Sequence, residues 1–180
     1  MTIDKIIAAI PEKSPEERKR MRENAAAWLA SGDAKKIAAA NGVIAALDAC
    51  EGAEARERHE RLSAMTPAQR LVAAFASDPL TETERLLVQA LIDNPGETST
   101  TLGRLIGWKG KSWHMHFGKM CKRREATLWP AAKFESRDAY FYSGMLTEQA
   151  QDEKGDWRFT LKPDLADAFA TLGLRPARRA

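Results

Sequence analysis

Long apolar runs, paired cysteines and the small-residue cleavage site of a signal peptide are missing from this 180-residue chain. No stretch approaches the ~20 apolar residues of a membrane-spanning helix, so membrane contact is not expected. Cys50 and Cys121 lie far apart without a partnered spacing, which argues against a disulfide framework and against a zinc ribbon. Residues 1–10 contain Asp4 and Lys5 and do not resemble a signal peptide. These absences predict a cytoplasmic protein.

The common catalytic signatures are also missing. The chain has no GxxxxGK[ST] phosphate loop, no HExxH zinc motif and no GxSxG nucleophile motif. His114, His116 and Cys121 suggest a metal site, but residues two apart point to different sides of a helix and no second cysteine is near. We therefore expect a protein that is not an enzyme and that holds neither a metal nor a cofactor.

Residues 1–79 have the pattern of a helical N-terminal region. Ser14, followed by Pro15 and Glu17, is a capping box at a helix start, and Asp33 can cap the next helix. Apolar residues at helical spacing define one face on each helix: Met21, Ala25, Trp28 and Leu29, then Ile37, Ala40, Ile44 and Leu47. These faces predict an antiparallel helical hairpin. The pattern of residues 51–61 indicates an exposed helix or a helical linker. A further short helix is predicted to begin at Thr66.

Residues 80–174 combine short helices with a later β pattern. The helix signals cover Thr81 to Asn94, Ser99 to Ile106 and Ser112 to about Arg124, with a glycine-containing turn before the third helix. Strand-forming residues then occupy 139–146 and 156–161 around a polar turn, and a closing helix runs from Pro163 to Gly173. The fold class is therefore mainly α with a small β-hairpin, in which the second domain is a winged helix-turn-helix. Residues 175–180 form a basic tail.

Positive charge is concentrated in one segment of the chain. Residues 98–124 contain seven basic residues and no acidic one, whereas the whole chain has a net charge of only +3. Four aromatic or histidine side chains lie between Trp113 and Phe117 of this segment. Such local density is typical of a surface that meets nucleic acid.

The third helix of residues 80–174 is the candidate recognition helix. Trp113, Phe117, Met120 and Cys121 fall on one face and should point to the core. Lysine and arginine can neutralise phosphates, while Ser112, His114, Met115 and His116 could read base edges, and Gly118 would allow close backbone approach. The predicted DNA-binding residues are Arg104, Lys109, Lys111, Ser112, His114, Met115, Gly118, Lys119, Lys122 and Arg123.

A resemblance points in the same direction. The runs LGRLIGW, SWHMHFGKMCKRR and DWRFTLKPDLADAFATLGL resemble a winged-helix module that accompanies McrA-like HNH restriction endonucleases in bacteria. The resemblance covers residues 80–174 and its most particular step is Phe117-Gly118-Lys119. It implies DNA contact by a bacterial winged helix, although Trp113 and His114 replace a small apolar residue and an asparagine, and the nuclease domain is missing.

The sequence therefore predicts a protein that binds double-stranded DNA, with residues 1–79 mediating homodimer formation or contact with another protein. Transcription regulation, or a role in a mobile-element or defence system, would fit a nucleoid-associated cytoplasmic protein of this kind. Three alternatives remain open. The basic winged helix could dock on an acidic protein, as in an adaptor or a phage-type inhibitor; the chain could supply DNA recognition to a nuclease; or the lysines and arginines could only complement a helix C-terminus.

Overall fold

The computed structural model describes residues 2–110, 112–133 and 138–177. The chain folds into two compact units, which we call the first unit (Met1–Ser63) and the second unit (Ala64–Ala180). Both are mainly helical, and a small antiparallel sheet lies in the second unit. The predicted fold class, mainly α with a small β-hairpin, is confirmed at this level.

The first unit is built from helices that begin where the sequence provides caps. Ser14 Oγ accepts a hydrogen bond from the Glu17 amide at 3.3 Å, and the Glu17 carboxylate accepts one from the Ser14 amide at 2.8 Å, so the predicted capping box is confirmed. The Asp33 carboxylate likewise accepts from the Lys35 amide at 2.9 Å. The helices are α1 (Ile3–Ala8), a 3-10 turn (Ile10–Glu12), α2 (Pro15–Leu29) and α3 (Ala34–Ser63).

Two features hold the first unit together. A small apolar core forms between α1, α2 and α3, with Ile10, Ala25, Ala40, Val43 and Leu47 buried. Beside it, the buried Arg18 guanidinium donates to the carbonyls of Ile10 and Pro11 and pairs with Glu54 at 2.7 Å. Leu29, which the helical spacing predicted to face the core, is 39% exposed instead. Residues 51–61 are not a separate helix but the continuation of α3.

The second unit starts earlier than the sequence predicts. Its helices are α4 (Pro67–Ser77), α5 (Glu82–Asp93), α6 (Ser99–Leu105), α7 (Trp113–Arg123) and α8 (Ala166–Thr171). Leu71, Ala74 and Phe75 of α4 are buried in the same core as Leu87 and Trp113. The predicted boundary between residues 79 and 80 is therefore corrected to Ser63/Ala64, because α4 packs its apolar face into the second unit.

The sheet of the second unit has three strands among the described residues, in the order β1-β3-β2. They are β1 (Glu97–Thr98), β2 (Thr147–Gln151) and β3 (Trp157–Leu161), and all neighbours are antiparallel. The predicted first strand of the hairpin, residues 139–146, is wrong: Ser143–Met145 form a 3-10 turn, and the strand follows at β2. The sequence does not predict β1, which pairs with the second edge of β3 and makes β3 the central strand.

The ends of the second unit's helices are set by short-range hydrogen bonds. Thr66 and Thr81 each form a capping box, with Gln69 and Glu84 respectively as the reciprocal partner. A further 3-10 turn, Pro163–Leu165, leads into α8. After α8 the chain returns to α5, where the Arg175 carbonyl accepts a hydrogen bond from Gln89 at 2.7 Å.

In the described parts of the chain, none of the helices is both long and apolar enough to cross a membrane.

Candidate nucleic-acid interface

The inner face of α7 is anchored in the core of the second unit. Trp113, Phe117, Met120 and Cys121 are all buried, which confirms the predicted inward face. The Trp113 and Phe117 rings stack with centroids 4.7 Å apart, and the Trp113 indole donates to the Leu87 carbonyl at 3.2 Å. Burial also raises the pKa of the Cys121 thiol. These contacts fix which side of α7 is turned outward.

The outer face of α7 carries exposed cations. Lys119 and Lys122 are exposed, and Met115 beside them is 55% exposed. The Lys122 ammonium lies 5.2 Å from the centroid of the Tyr142 ring. Within residues 2–110, 112–133 and 138–177, neither lysine forms an ion pair. Their charge is therefore not neutralised by a described carboxylate.

Further predicted cations lie just before α7. Arg104 is exposed in the last turn of α6, and Lys109 is exposed in the turn between α6 and α7. Positive-φ glycines, Gly107 and Gly110, shape this turn because their φ angles of 79° and 81° suit a residue without a Cβ. Lys111, another predicted phosphate contact, lies outside the described residues, as do residues 178–180 of the predicted basic tail.

The C-terminal end of α7 differs from the sequence prediction. The Arg123 guanidinium pairs with Asp78 at 2.6 Å and with Glu84 at 3.1 Å. Arg124 is buried and pairs with Glu84 at 3.0 Å. Burial, the largest single effect, would raise the pKa of Glu84, but the hydrogen bonds from Arg124 and from the Thr81 amide, together with the positive charges of Arg124 and Arg123, outweigh burial and hold that pKa below its ordinary value. Arg123 is thus exposed but has its positive charge offset by two carboxylates, and its contact with DNA stays a prediction.

His114 is turned toward the sheet and not toward the outer face of α7. Its main-chain amide donates to Ser99 Oγ at 3.1 Å, and its Nδ1 lies 3.0 Å from the same oxygen. Its ring is stacked on Phe159 with a centroid distance of 6.3 Å. His114 therefore joins α7 to α6 and β3, which makes it a packing residue as much as a candidate base contact.

The surroundings of Gly118 and Ser112 differ from those expected of exposed DNA contacts at a helix start. Gly118 is buried, and a Cβ at this position would lie 3.6 Å from the Ser143 amide nitrogen and from Tyr142 Cβ. The close neighbour of this glycine is therefore the chain itself, and Gly118 does not lie on an exposed DNA-binding face. Ser112 occupies the residue before α7, but its side chain makes no capping hydrogen bond.

The hairpin of β2 and β3 has little unpaired positive charge. Arg158 pairs with Asp152 at 3.0 Å and donates to the Gly96 carbonyl at 3.0 Å. Asp152 also accepts hydrogen bonds from the amides of Asp156 and Lys154. The hydrogen bond from the Asp156 amide is the main cause that lowers the pKa of the Asp152 carboxyl. The turn of the hairpin is thus organised by a carboxylate.

A pocket of about 580 Å³ opens beside the outer face of α7. It lies between α7, the start of α6, the hairpin and residues 140–143, all within the second unit. The side chains that stand out at its walls are Met115, Lys119, Lys122, Tyr140, Tyr142 and Trp157. The sequence does not indicate this pocket, because residues 139–146 have the composition of a strand and the period-two spacing groups Trp157 with Phe159.

Trp157 and Tyr140 correct that interpretation. Trp157 is 47% exposed and Tyr140 is 56% exposed. Strand alternation places Trp157 on the same face of β3 as the buried Phe159, so a core position was the natural expectation. Trp157 lies at the first residue of β3, however, where the pocket opens. No signal in the sequence alone distinguishes this end of the strand from its covered middle.

Acidic, histidine and cysteine side chains do not gather near the pocket or elsewhere in a group of three or more that could hold a metal ion, as far as the described residues extend. Comparison of the chain with protein-family models, with curated proteins and with solved structures finds no match. The candidate interface is therefore defined by its own geometry, namely the outer face of α7 and the turn before it, and the pocket adjoins this face.

Proposed function

We propose that the second unit binds double-stranded DNA through the outer face of α7 and that the protein acts without catalysis. The observation that carries the proposal is the pair of exposed lysines, Lys119 and Lys122, which no described carboxylate neutralises. Arg104 and Lys109 add positive charge at the end of α6 and in the turn before α7. Lysines and arginines arranged along one helix and its preceding turn are suited to contact successive phosphates.

The order of elements supports a winged helix-turn-helix as the form of this domain. Helix α5 is followed by the short strand β1, then by α6 and α7, and the hairpin of β2 and β3 comes after them. β1 pairs with β3, which closes a small sheet next to the helices. In such domains the third helix enters the major groove, and α7 is the third helix when α5 is counted as the first. The resemblance to the winged-helix module of McrA-like nucleases agrees with this interpretation.

The roles within α7 are inferred from chemistry. Lys119 and Lys122 would contact phosphates, which position the protein but do not specify sequence. Met115 is exposed on the same side and could contact the methyl group of thymine, while the exposed His116 offers a hydrogen-bonding ring. The first unit would mediate self-association or contact with another protein. Such a protein would suit transcription regulation or a mobile-element or defence system.

The test is binding of the full-length protein to a labelled random-sequence duplex by fluorescence anisotropy across a salt series. Phosphate neutralisation predicts that log affinity falls with log salt by about 0.9 for each phosphate contact, so four contacts give a slope of roughly −3.6. The variant Lys119→Glu/Lys122→Glu should lose most of the affinity and reduce the slope by about 1.8, because two contacts are removed.

The matched control is Lys35→Glu/Lys36→Glu, which makes the same change of net charge at exposed positions in the first unit. This control should retain the wild-type salt slope. Absence of wild-type binding at low salt would overturn the proposal, and the exposed lysines would then point to an acidic protein partner. Equal affinity of the two double variants would instead show that α7 is not the contact helix.

A further inference from the structure

The pocket beside α7 has the volume and the exposed apolar lining of a ligand-binding pocket. Its volume, about 580 Å³, falls in the range of ~300–1,000 Å³ that is typical of ligand pockets. Three of its wall residues, Met115, Tyr140 and Trp157, are large apolar side chains that are about half exposed. Exposed aromatic side chains that line one concave site are characteristic of a binding surface.

The aromatic rings lie on two sides of the pocket. Trp157 begins β3 on the hairpin side, whereas Tyr140 and Tyr142 belong to the segment that packs near α7, with their ring centroids 6.1 Å apart. Flat aromatic faces bind other flat ring systems by stacking, and every nucleobase presents such a face. An aliphatic ligand would not need this arrangement.

Polar groups near the rings suit the edge of a base. Gln149 pairs in register with Phe159 and therefore shares the face of the sheet that is turned to the pocket. Its amide nitrogen donates to Ser143 Oγ at 3.4 Å, and a carboxamide can form further hydrogen bonds as donor and as acceptor. Such a group can recognise the donors and acceptors on a base edge.

The charges around the pocket select an orientation for the ligand. Lys119 and Lys122 line the α7 side, while Trp157 lies on the hairpin side. A phosphate is attracted to the lysines, whereas a base stacks on an aromatic ring. A nucleotide would thus keep its phosphate at α7 and direct its base toward the hairpin.

We propose that the pocket receives an unpaired base from the DNA that α7 binds. This inference rests on the proposed function, because Lys119 and Lys122 serve as phosphate contacts in both. The base stacks against Trp157 and Tyr140, and the flanking phosphates contact the two lysines. DNA with a bulged base should therefore be bound more tightly than the same duplex with every base paired, since the bulged base enters the pocket without the cost of breaking a base pair.

The experiment compares two duplexes of otherwise identical sequence, one fully paired and one with a single extra 2-aminopurine as a bulge. Affinities are measured by anisotropy, and stacking is followed by quenching of the 2-aminopurine fluorescence. Removal of one stacking ring typically weakens binding by roughly 5-fold to 150-fold. Trp157→Ala should therefore lose the preference for the bulged duplex and the quenching, while its affinity for the paired duplex stays at the wild-type value.

Leu86→Ala is the matched control, because Leu86 is 51% exposed on α5 and does not line the pocket. It should retain the preference and the quenching. Tyr140→Ala, in another segment that lines the pocket, provides a second variant, and unchanged binding of the paired duplex shows that each variant is folded.

The failures of the two proposals are distinguishable. If the wild type binds the paired duplex but shows no preference for the bulge, the base pocket is refuted and DNA binding by α7 stands. If Trp157→Ala and Tyr140→Ala both keep the preference, the pocket is again refuted. If the wild type binds neither duplex, the proposed function fails, and the base pocket fails with it.

Discussion

Arg124 links several parts of the second unit through a single guanidinium group. It donates to the carbonyls of Asp78 and Pro79 at 2.8 Å and 3.1 Å, pairs with Glu84, and lies 4.5 Å from the centroid of the Phe75 ring. The group is buried, so its charge depends on compensation by Glu84 and by Asp78, whose carboxylate lies 3.3 Å away. Glu84 is the buried partner of the two, and removal of a buried partner from such a network is strongly destabilising.

Glu84→Gln should therefore lower the free energy of unfolding by about 3 kcal/mol near neutral pH. Because folding lowers the pKa of Glu84, its contribution is fully present above the unfolded pKa of about 4.3 and is lost as the pH falls through the folded pKa. The difference between wild type and Glu84→Gln in urea unfolding should thus shrink as the pH falls below about 4.3.

The control for this measurement is Glu82→Gln, which changes an exposed carboxyl in the first turn of the same helix, α5. It should cost at most about 1 kcal/mol, which is the usual contribution of an exposed charge near a helix end. If Glu84→Gln and Glu82→Gln lowered the free energy of unfolding equally and independently of pH, the role assigned to Glu84 would be contradicted.

Arg123 and Arg124 show why a count of basic residues along the sequence overestimates the positive charge that is available at the interface. Arg123 and Arg124 belong to the basic segment of the sequence, but Asp78 and Glu84 compensate them from positions about 40 residues earlier. A partner at that separation becomes a neighbour only through the packing of α5 against α7. Lys119 and Lys122 lie in the same helix but form no ion pair with a described carboxylate. No local feature of the sequence distinguishes these two lysines from Arg123 and Arg124.

At the scale of elements, local hydrogen bonds were predictable and strand positions were not. The capping boxes at Ser14, Thr66 and Thr81 use partners three residues away, so sequence spacing is sufficient to recognise such boxes. Residues 139–146 are rich in strand formers, but their aromatic side chains contribute to the pocket and pack near α7. β1 contains only two residues and has no periodicity that could reveal it.

The packing of α7 against the Ser143–Met145 turn needs a small residue at position 118. A Cβ at this position would make ordinary van der Waals contacts at 3.6 Å, so alanine should fit. Gly118→Ala should be neutral or stabilising by up to about 1 kcal/mol, because alanine has the higher helix propensity. Gly118→Leu should instead destabilise by about 1–3 kcal/mol through overpacking. Urea unfolding followed by tryptophan fluorescence measures both, and a stable Gly118→Leu variant would refute this packing role.

At the scale of the whole molecule, the boundary between the units determines which fragments can fold. A fragment of residues 64–180 should unfold cooperatively, whereas a fragment of residues 80–180 lacks Leu71, Ala74 and Phe75 of the core. The leucine and phenylalanine alone contribute about 1.5–3 kcal/mol each, which is a large share of a typical total stability of about 5–15 kcal/mol. The shorter fragment should therefore show no cooperative transition.

Near-UV circular dichroism during urea titration distinguishes the two fragments, because Trp113 is fixed in the core that α4 helps to close. Equal cooperativity of the two fragments would restore the boundary that the sequence predicted between residues 79 and 80. The sequence placed that boundary at Ser77-Asp78-Pro79 since these residues end a helix. The end of a helix does not mark the end of a domain when that helix buries its apolar face against the helices that come after it in the chain.

Each unit contains one cysteine, and the two differ in accessibility. Cys121 is fully buried on α7, while Cys50 is partly exposed on α3. Only a thiolate reacts rapidly with alkylating reagents, so the buried, high-pKa thiol of Cys121 can be modified only when the second unit opens. Its alkylation rate in the unaltered protein therefore reports the opening of the core behind α7. Bound DNA that stabilises the closed second unit would slow that reaction without any change at Cys50.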